Sequence, residues 1–520
     1  MSFLTPLFFR SVPVLPERQC QKGMVIMKHR SIAIKVLVLL IVLSSLISAA
    51  ACTATGGGEG TKGTSGTVGT DVTSTPETEP PYPLDIVDYK GKSFRVTLLS
   101  ASDEREFFVA DGANGDDVDV ALYTRNSIVE DRYKIKIEPV YINGEGLFGH
   151  TNTIADVILS DNDAYDLVTS YAFAAGPLVM NSCLFDWKQQ KHNDLEASWW
   201  IKSINDKFEI DGHLYTAVGD TNTYTLIYTY AMMFNRTAGD NEKITSDVFA
   251  AVRDGSWTID KFNTIVSNIY NDIDGENGRT AGDYYGFQGE CLTNLDNYNF
   301  AFNIPMMDNR EAGEAGIRFV YDGEKLHDAI DKIIRLYWNN SGSFVEGDNV
   351  DAFVNGRSVF STMLLNDCFS TMRNMRDDYT ILPYPKFNED QKEYLTGMMD
   401  NYMVIGIPIS ERDTDFVSLV TEALNYEAER ILYPAYYDDA LQNKYRRDDE
   451  TIEMLNILMN GRTADFGTLF QSNLDNISCW FRWIVASKEN TSASYVAERK
   501  DYIEMLTAAI VTKYREGALG

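Results

Sequence analysis

An acidic loop in the middle of the chain has carboxylates at the spacing of a cation site. In the segment DIDGENGRTAGD, Asp272, Asp274 and Glu276 stand at positions 1, 3 and 5, and Asp283 stands at position 12. EF-hand calcium loops place oxygen ligands at those positions and a glycine at position 6. Position 6 here is Asn277, a residue type that tolerates the left-handed backbone. The spacing predicts a structural calcium site, with a surface turn as the alternative, and no other cofactor is expected.

Other chemistry-bearing motifs are absent from the sequence. The 520 residues contain no H-E-x-x-H, nucleophile elbow or P-loop, and no two of the six cysteines form a C-x-x-C pair. The formal net charge of −30 argues against nucleic acid, because binding to phosphates needs clustered Lys and Arg. That charge suits a well-dispersed monomer and a neutral or cationic ligand. We therefore expect a protein without catalytic residues.

A short apolar run near the N-terminus ends at a cysteine. Lys28, Arg30 and Lys35 precede VLVLLIVLSSLI, which is shorter than the roughly twenty residues that a membrane span needs. A basic start, a short apolar core and small residues are typical of a secretory signal. The run ends in AAAC, which resembles the lipobox of bacterial lipoproteins, in which the cysteine is lipidated. This resemblance implies that Cys52 anchors the protein at the extracellular face of a bacterial membrane, and an ordinary signal peptide is the alternative.

Composition divides the N-terminal part into three segments. We expect translation to start at Met27, so that residues 1–26 are not part of the protein and residues 27–51 form the signal peptide. Residues 52–83 are rich in Gly, Thr, Ser and Pro and cannot bury enough apolar surface to offset the entropy of ordering them. We expect a flexible tether between the anchor and the body.

From Phe94 onward, strand-like and helix-like patterns alternate. FRVTLLS and YKIKIEPVYI predict strands around a helix over 118–133, and GRSVFSTMLLND and NYMVIGIPIS predict later strands. YTILPYPK is interpreted as an extended linker, and residues 479–514 as helical. This alternation predicts α/β architecture, in which ligands bind beyond the carboxyl ends of the strands. The loops at 100–106 and 170–174 are therefore expected to face a ligand.

An ordered series of segments resembles the extracellular solute-binding proteins of ABC importers, in the group that includes maltose- and other sugar-binding members. The series includes YDLVTSYAFAAGPLVMNSCLFDW, INDKFEIDGHLYTAVGD, VDAFVNGRSVFSTM and VTEALNYEAERILYPAYYDDAL, between Tyr165 and Leu441. No single motif identifies the family, and the resemblance rests on the order of these segments along the chain. It implies a type II periplasmic-binding-protein-like fold: two α/β lobes, each discontinuous in sequence, that close over a ligand by a hinge.

The resemblance also implies the division of the chain into lobes, its partner and its ligands. We assign 84–222 with 397–432 to the first lobe, and 223–396 with 433–516 to the second. The loaded protein would dock on the transmembrane subunits of an ABC permease. Small-molecule solutes, sugars above all, are the expected ligands.

A sugar site needs aromatic platforms beside side chains that pair with hydroxyls. Tyr171 follows the DLVTS strand, where members of the family often place an aromatic contact. The other candidates lie at strand ends, at crossings between lobes or at the start of the last helical region. They are Asp103, Glu104, Asp220, Asn222, Asn297, Tyr298, Asn366, Asp367, Asp400, Asn401 and Trp480.

The predicted function is capture of a carbohydrate or oligosaccharide in the cleft between lobes and its delivery to the permease. Three alternatives stay open at this stage. The same fold could bind a peptide or a cationic solute, or it could serve a sensor kinase. A surface glycoside hydrolase that uses two carboxylates is the third, and turnover of a bound sugar would distinguish it.

Overall fold

The computed structural model describes residues 82–99, 117–144, 148–308, 316–436 and 449–517. The predictions for the signal peptide, Cys52, the tether, Asp103 and Glu104 lie outside these residues. The chain divides into the unit Met1–Tyr82 and the compact unit Pro83–Gly520, to which all the following elements belong. Within the described ranges, no helix combines the length and the apolar character that crossing a membrane requires.

The strands of the described residues are short, and several are buried on both faces. They are β1 (Lys92–Leu98), β2 (Ile135–Tyr141), β3 (Val168–Tyr171), β4 (Tyr230–Asn235), β5 (Tyr270–Asn271), β6 (Tyr284–Gln288), β7 (Met307–Asp308), β8 (Arg318–Phe319), β9 (Ser343–Phe344), β10 (Ser358–Leu364), β11 (Tyr379–Leu382) and β12 (Met403–Gly406).

The helices alternate with these strands and then dominate the C-terminal part. They are α1 (Asp117–Tyr133), α2 (Gly149–Leu159), α3 (Gly176–Met180), α4 (Lys202–Phe208), α5 (Tyr224–Ile227), α6 (Arg236–Glu242), α7 (Thr245–Asp254), α8 (Ile259–Val266), α9 (Asn297–Ala301), α10 (Glu324–Trp338), α11 (Asn349–Val354), α12 (Leu365–Phe369), α13 (Thr414–Glu427), α14 (Asp449–Asn460), α15 (Phe466–Leu469), α16 (Trp480–Ala486), α17 (Ser492–Ala497) and α18 (Lys500–Gly517).

Two strand pairs, β1–β2 and β3–β12, are connected by a single bridge, and we call them together the first sheet. β1 and β2 are parallel, and a bridge between Val96 and Leu167 extends the pairing from β1 toward β3. β3 pairs antiparallel with β12, with Tyr171 opposite Met403. Strands from distant parts of the chain thus lie side by side in the first sheet. β12 belongs to it although all the strands of the second sheet come before β12 in the sequence.

The second sheet has the order β11-β4-β10-β6-β5, with β9 paired to β6. β4 is antiparallel to β10 and β11, whereas β10 and β6 are parallel. Every residue of β4 is buried, as expected for an apolar strand covered on both faces. Phe234 and Phe360 stack across β4 and β10 with ring centroids 4.8 Å apart, and Trp257 packs beside Phe360.

The observed elements confirm most of the predicted pattern and correct one part. The predicted helix over 118–133 is α1, and NYMVIGIPIS contains β12. YTILPYPK is not a linker throughout, because Tyr379–Leu382 forms β11 against β4. The helical C-terminal region is divided into α16, α17 and α18.

Candidate functional site

The segment at residues 396–403 connects elements of both sheets. On one side, Tyr230 N donates to Gly397 O at 3.1 Å, at the start of β4. On the other side, Phe173 N donates to Asp400 O at 3.1 Å, just beyond β3. Asn297 Oδ1 accepts a bond of 2.7 Å from Gly397 N and thereby fixes the same segment from α9. Asp400 is therefore held where the two sheets adjoin.

Two carboxyl groups and one guanidinium meet beside this segment. Arg482 in α16 donates from Nη1 to Asp296 Oδ2 at 2.7 Å, and from Nη2 to Cys479 Sγ at 2.7 Å. The side chains of Arg482 and Asp296 are 17% and 13% exposed. Asp400 lies near the same guanidinium, which acts on its charge. We call Asp296, Asp400 and Arg482 the Arg482 cluster.

A small cavity opens beside the Arg482 cluster. Both carboxyl residues line it, together with polar and apolar side chains from β4, α9 and α15. Its lining residues are Tyr230, Asp296, Asn299, Phe300, Met306, Met398, Asp400, Thr468 and Ser478. Its volume is about 10 Å³, which is room for about one water molecule in this conformation.

Two polar atoms of the cavity residues have no hydrogen-bond partner among the described residues. They are Asp296 Oδ1, an acceptor, and Asn299 Nδ2, a donor. Asn299 is only 2% exposed, and its Oδ1 accepts from the Tyr321 hydroxyl at 2.6 Å. Because a buried polar group without a partner costs about 1–3 kcal/mol, such atoms mark a place where a ligand or water can bind.

The electrostatics of the cluster disfavour charge on its carboxyls. Burial raises the pKa of Asp296 well above its usual value; Arg482 opposes this rise, and Asp400 and Glu290 add to it. Burial also raises the pKa of Asp400, against the opposing effects of Arg482 and of hydrogen bonds that include one with Gln471. One guanidinium thus serves two buried carboxyl groups. Perturbed ionisable groups of this kind, in a cavity, are typical of functional sites.

The structure brings only some of the sequence-predicted residues to this cavity. Asp400 lines it, and Asn401 follows directly in the chain. Tyr171 lies at the end of β3, half-buried, with its ring stacked on Phe173 at 5.7 Å and edge-on to His150 at 5.5 Å. Tyr171 is two residues from Phe173, whose backbone N–H donates to Asp400 O. Contact of Tyr171 with a ligand stays a prediction.

Two aromatic candidates are core residues in this structure. Tyr298 is fully buried against Phe302 and Tyr384. Trp480 is also fully buried, with its indole nitrogen donating to Asp475 O at 3.0 Å and its ring against Tyr495. The expectation that Trp480 presents a stacking surface is therefore corrected here: an apolar ring that covers the core is not available to a ligand.

Two of the remaining polar candidates, Asn222 and Asp367, hold the backbone. Asn222 Nδ2 donates to Met403 O at 3.4 Å, and the Asp367 carboxylate accepts from Leu364 N at 3.0 Å at the start of α12. Asn366 lies in the first turn of the same helix. Asp220 is buried at the crossing that leads into α5. Burial raises its pKa to about 7, which Arg462 and a hydrogen bond with Tyr433 oppose.

Asp296, Arg482, Tyr230 and Asn299 were not among the predicted site residues. One signal was present for Arg482, which is a lone cation in the apolar helical run CWFRWIV and must find a buried partner if that run is packed. Asp296 stands next to the candidate Asn297 but offered no signal of its own. Their contact joins residues 186 positions apart, which no local pattern reports.

The acidic loop brings three of its four predicted ligands together. Carboxylate oxygens of Asp272, Asp274 and Asp283 lie within 4.8 Å of one another, and Glu276 is not part of this group. Asp283 is buried, and its two oxygens accept from Ile273 N at 3.2 Å and Thr280 N at 2.9 Å. Carboxylate oxygens are the ligands that calcium prefers. Both oxygens of Asp283, however, already accept hydrogen bonds from the backbone of the loop.

A second group of carboxylates surrounds Arg95 in the first sheet. Asp166 accepts from Arg95 N, Nε and Nη2 at 2.5, 3.1 and 2.5 Å, and Asp163 accepts at 2.6 Å. Glu411 Oε2 lies 3.8 Å from the same guanidinium. We call Arg95, Asp163, Asp166 and Glu411 the Arg95 cluster. The Arg95 guanidinium is the positive charge that its three carboxyl groups face.

Comparison with known proteins identifies similar folds among solved structures. No family model and no curated protein matches the chain. M. tuberculosis UspC is similar in structure, with a TM-score of 0.52 and 11% identity over 80% of this chain and 100% of that protein.

The GacH receptor of Streptomyces glaucescens, solved unliganded and in complex with acarbose, gives a TM-score of 0.47 and 10% identity over 82% of this chain and 98% of that protein. The lower score of this second comparison adds nothing to the argument. From its two sheets, its element order and its likeness to UspC, the chain has the two-lobed α/β fold of the periplasmic solute-binding proteins.

Proposed function

We propose that this protein is an extracellular solute-binding protein that captures a small polar solute where the two sheets adjoin, beside the Arg482 cluster, and that the small cavity there widens when the lobes open. The observation that carries the proposal is the fold, in which the segment 396–403 joins both sheets beside the Arg482 cluster, and two buried atoms there, Asp296 Oδ1 and Asn299 Nδ2, are free to bind a solute or water. A solute with hydroxyl groups can accept from one and donate to the other. A carbohydrate or oligosaccharide is the solute class that we favour.

Hinge motion is the proposed means of capture. The segment 396–403 bonds both to the start of β4 and to the residues after β3. A ligand that contacts Asp400 is therefore sensitive to the relative position of the two sheets. Contacts that exist only when the lobes are closed select the closed state. Asp220, Asn222 and Asn297 support the crossings by their hydrogen bonds and burial, and contact of these residues with the solute stays a prediction.

The location and the partner belong to the same proposal. A lipid on Cys52 would hold the protein at the extracellular face of the bacterial membrane, and residues 52–83 would let the body move above it. The loaded, closed form would dock on the transmembrane subunits of an ABC permease. The protein releases its solute unchanged, so it is not an enzyme in this proposal.

A thermal-shift screen of the full chain tests the proposal. The panel contains mono- and oligosaccharides, peptides and polyamines. A solute at 100 times its dissociation constant adds about 2.7 kcal/mol to the free energy of unfolding. We expect a hit whose shift is lost in Asp296→Asn and kept in Glu411→Gln, a matched carboxyl-to-amide change in the Arg95 cluster. Turnover of the hit, or a panel without any shift, would contradict the proposal.

A further inference from the structure

In the part of the chain that the structure describes, three segments lead from one sheet to the other. Residues 217–230 lead from a bridge with β12 to the start of β4. Residues 396–403 lead back from the start of β4 to β12. Residues 414–436 run from α13, which packs against α1, to Tyr436, whose ring lies 5.3 Å from that of Phe369 in α12. We call these segments the first, second and third crossings.

The turn 461–463, which follows α14, contacts all three crossings. Thr396 in the second crossing exchanges two backbone hydrogen bonds of 2.9 Å with the residues on either side of Arg462. Arg462 Nη1 donates to Thr225 O in the first crossing at 3.2 Å. The guanidinium carbon of Arg462 lies 5.7 Å from the centre of the Tyr433 ring in the third crossing. One side chain and its neighbouring backbone thus join the three crossings.

Further contacts tie the first crossing to the third beside Arg462. Thr221 N donates to Asn425 Oδ1 at 2.6 Å, which links the first crossing to the end of α13. Asp220, the preceding residue, is buried, and both Arg462 and Tyr433 oppose the rise in pKa that burial gives its carboxyl. The charge of Arg462 therefore acts in the first crossing in addition to its hydrogen bond there.

The third crossing contains a change of helix type. α13 continues without a break as a π-helix over Ala428–Leu432, and the chain then stays helical to residue 436. π-Helical turns are rare, occur frequently at functional sites and are places where helices bend. This one ends directly before Tyr433, the residue of the third crossing that lies against Arg462. The third crossing thus has a place to bend next to the point where it is held.

We propose that the turn 461–463 is the pivot of the hinge, and that Arg462 is the positioning residue that holds the three crossings to it while the π-helical segment absorbs the bend. This inference rests on the hinge motion of the proposed function and adds the residues about which the lobes rotate. Arginine suits the role, because its rigid planar fork can donate to a carbonyl while its face lies on an aromatic ring. Rotation about one point keeps the two halves of the solute site in register.

Distances between the lobes of the ligand-free full chain test the inference. Dyes are attached to genetically encoded ketone side chains that replace two exposed residues, Glu138 in β2 and Asp328 in α10, so that the native cysteines stay unlabelled. Single-molecule energy transfer then gives the distribution of distances. Loss of a charge-assisted hydrogen bond makes arrangements that lack it about tenfold more populated. Arg462→Met should therefore increase, by about that factor, the fraction of molecules outside the distance range of the parent protein.

Arg357→Met is the matched control. Arg357 is half-buried like Arg462 and also donates to a backbone carbonyl, Ala281 O, but both of these residues belong to the second sheet and its loops. This variant should lower the melting temperature and leave the distribution of distances unchanged. Arg462→Lys keeps the charge and loses the fork, so it should widen the distribution less than Arg462→Met, and it replaces that variant if Arg462→Met does not fold.

The outcomes separate the hinge inference from the proposed function. Widening confined to the Arg462 variants supports the inference. A distribution in the folded Arg462 variants that equals that of the parent protein contradicts it and leaves solute binding standing, since the thermal-shift screen tests binding separately. Equal widening by Arg357→Met also contradicts it, because the effect then reflects a general loss of stability.

Discussion

The Arg482 cluster and the Arg95 cluster have similar composition, and each has one buried carboxylate oxygen without a hydrogen-bond partner among the described residues, Asp296 Oδ1 and Glu411 Oε2. They differ in how firmly the other carboxylate oxygens are held and in the cavity that the Arg482 cluster lines. In the Arg95 cluster, Asp166 accepts three hydrogen bonds from Arg95, and Glu411 Oε1 accepts from Arg412 N and Asp413 N at the start of α13. In the Arg482 cluster, the single Arg482 bond to Asp296 leaves Oδ1 without a partner.

The difference teaches how a structural ion cluster can be told from a candidate binding site. Charge-assisted bonds to the backbone fix the Arg95 cluster to one strand and one helix start, where it stabilises the fold. The Arg482 cluster lies beside a cavity where the two sheets adjoin and keeps unsatisfied atoms there. Residue types alone would assign the same role to both.

Removal of the central arginine should produce the largest effects. Arg482→Met leaves Asp296 and Asp400 without their cation, and Arg95→Met does the same to Asp166. Breaking a buried pair from one side costs about 3–5 kcal/mol, so both variants should lose that much free energy of unfolding in urea titrations. The variants should differ in binding: Arg482→Met loses the solute and folded Arg95→Met retains it. Equal binding by the two variants would remove the distinction between the clusters.

Neutralising one carboxyl should change stability in opposite directions in the two clusters. Burial already disfavours the charged form of Asp400, and Arg482 keeps Asp296 as its partner, so Asp400→Asn should raise the free energy of unfolding of the ligand-free protein. Asp166→Asn loses charge-assisted bonds and should lower that free energy by about 2 kcal/mol. Chemical denaturation of both variants at neutral pH is the measurement, and a loss of stability in Asp400→Asn would contradict the comparison.

The Arg95 cluster should also make stability depend on pH. Burial and hydrogen bonding with Asp166 raise the pKa of Glu411 from 4.5 to about 7. A raised carboxyl pKa means that the folded state holds the proton more tightly, so its stabilising contribution is complete below the unfolded pKa and is lost as the pH rises through 7. The free energy of unfolding of the parent protein should fall by about 1 kcal/mol between about pH 5 and 7, after allowance for solvent screening. Glu411→Gln should not show this fall. An unchanged pH profile would show that Glu411 does not titrate in this range.

The acidic loop should show the smallest effect. If calcium binds there, addition of calcium should raise the melting temperature by a few degrees, and Asp272→Asn should abolish that rise. Asp283→Asn should lower stability with or without calcium, because its carboxylate accepts from two backbone amides of the loop. A melting temperature that calcium leaves unchanged would favour the surface turn.

Local pattern was sufficient for much of the fold. α1 follows the predicted helix closely, and NYMVIGIPIS contains the predicted strand as β12, because period and apolar content act within each element. Tyr379–Leu382 was interpreted as part of a linker, since its strand character depends on pairing with β4 and not on its own residues. The boundaries assigned to the two lobes stay predictions.

The candidate site was less predictable from the sequence. Asp400 was identified because it stands at a predicted crossing between lobes, and Tyr171 because it follows a strand. Arg482 and Asp296 were missed, since their contact depends on how α16 packs against the turn before α9. Trp480 was named for its aromatic surface, which the packing of the core covers.

Hydrogen exchange with and without the solute identified by the screen tests the central claim most directly. We predict slower amide exchange at 296–302, 398–403 and 479–486, and unchanged exchange at the start of α13, beside the Arg95 cluster. Protection confined to α13, or absent from all three segments of the Arg482 cluster, would contradict a solute site between the two sheets.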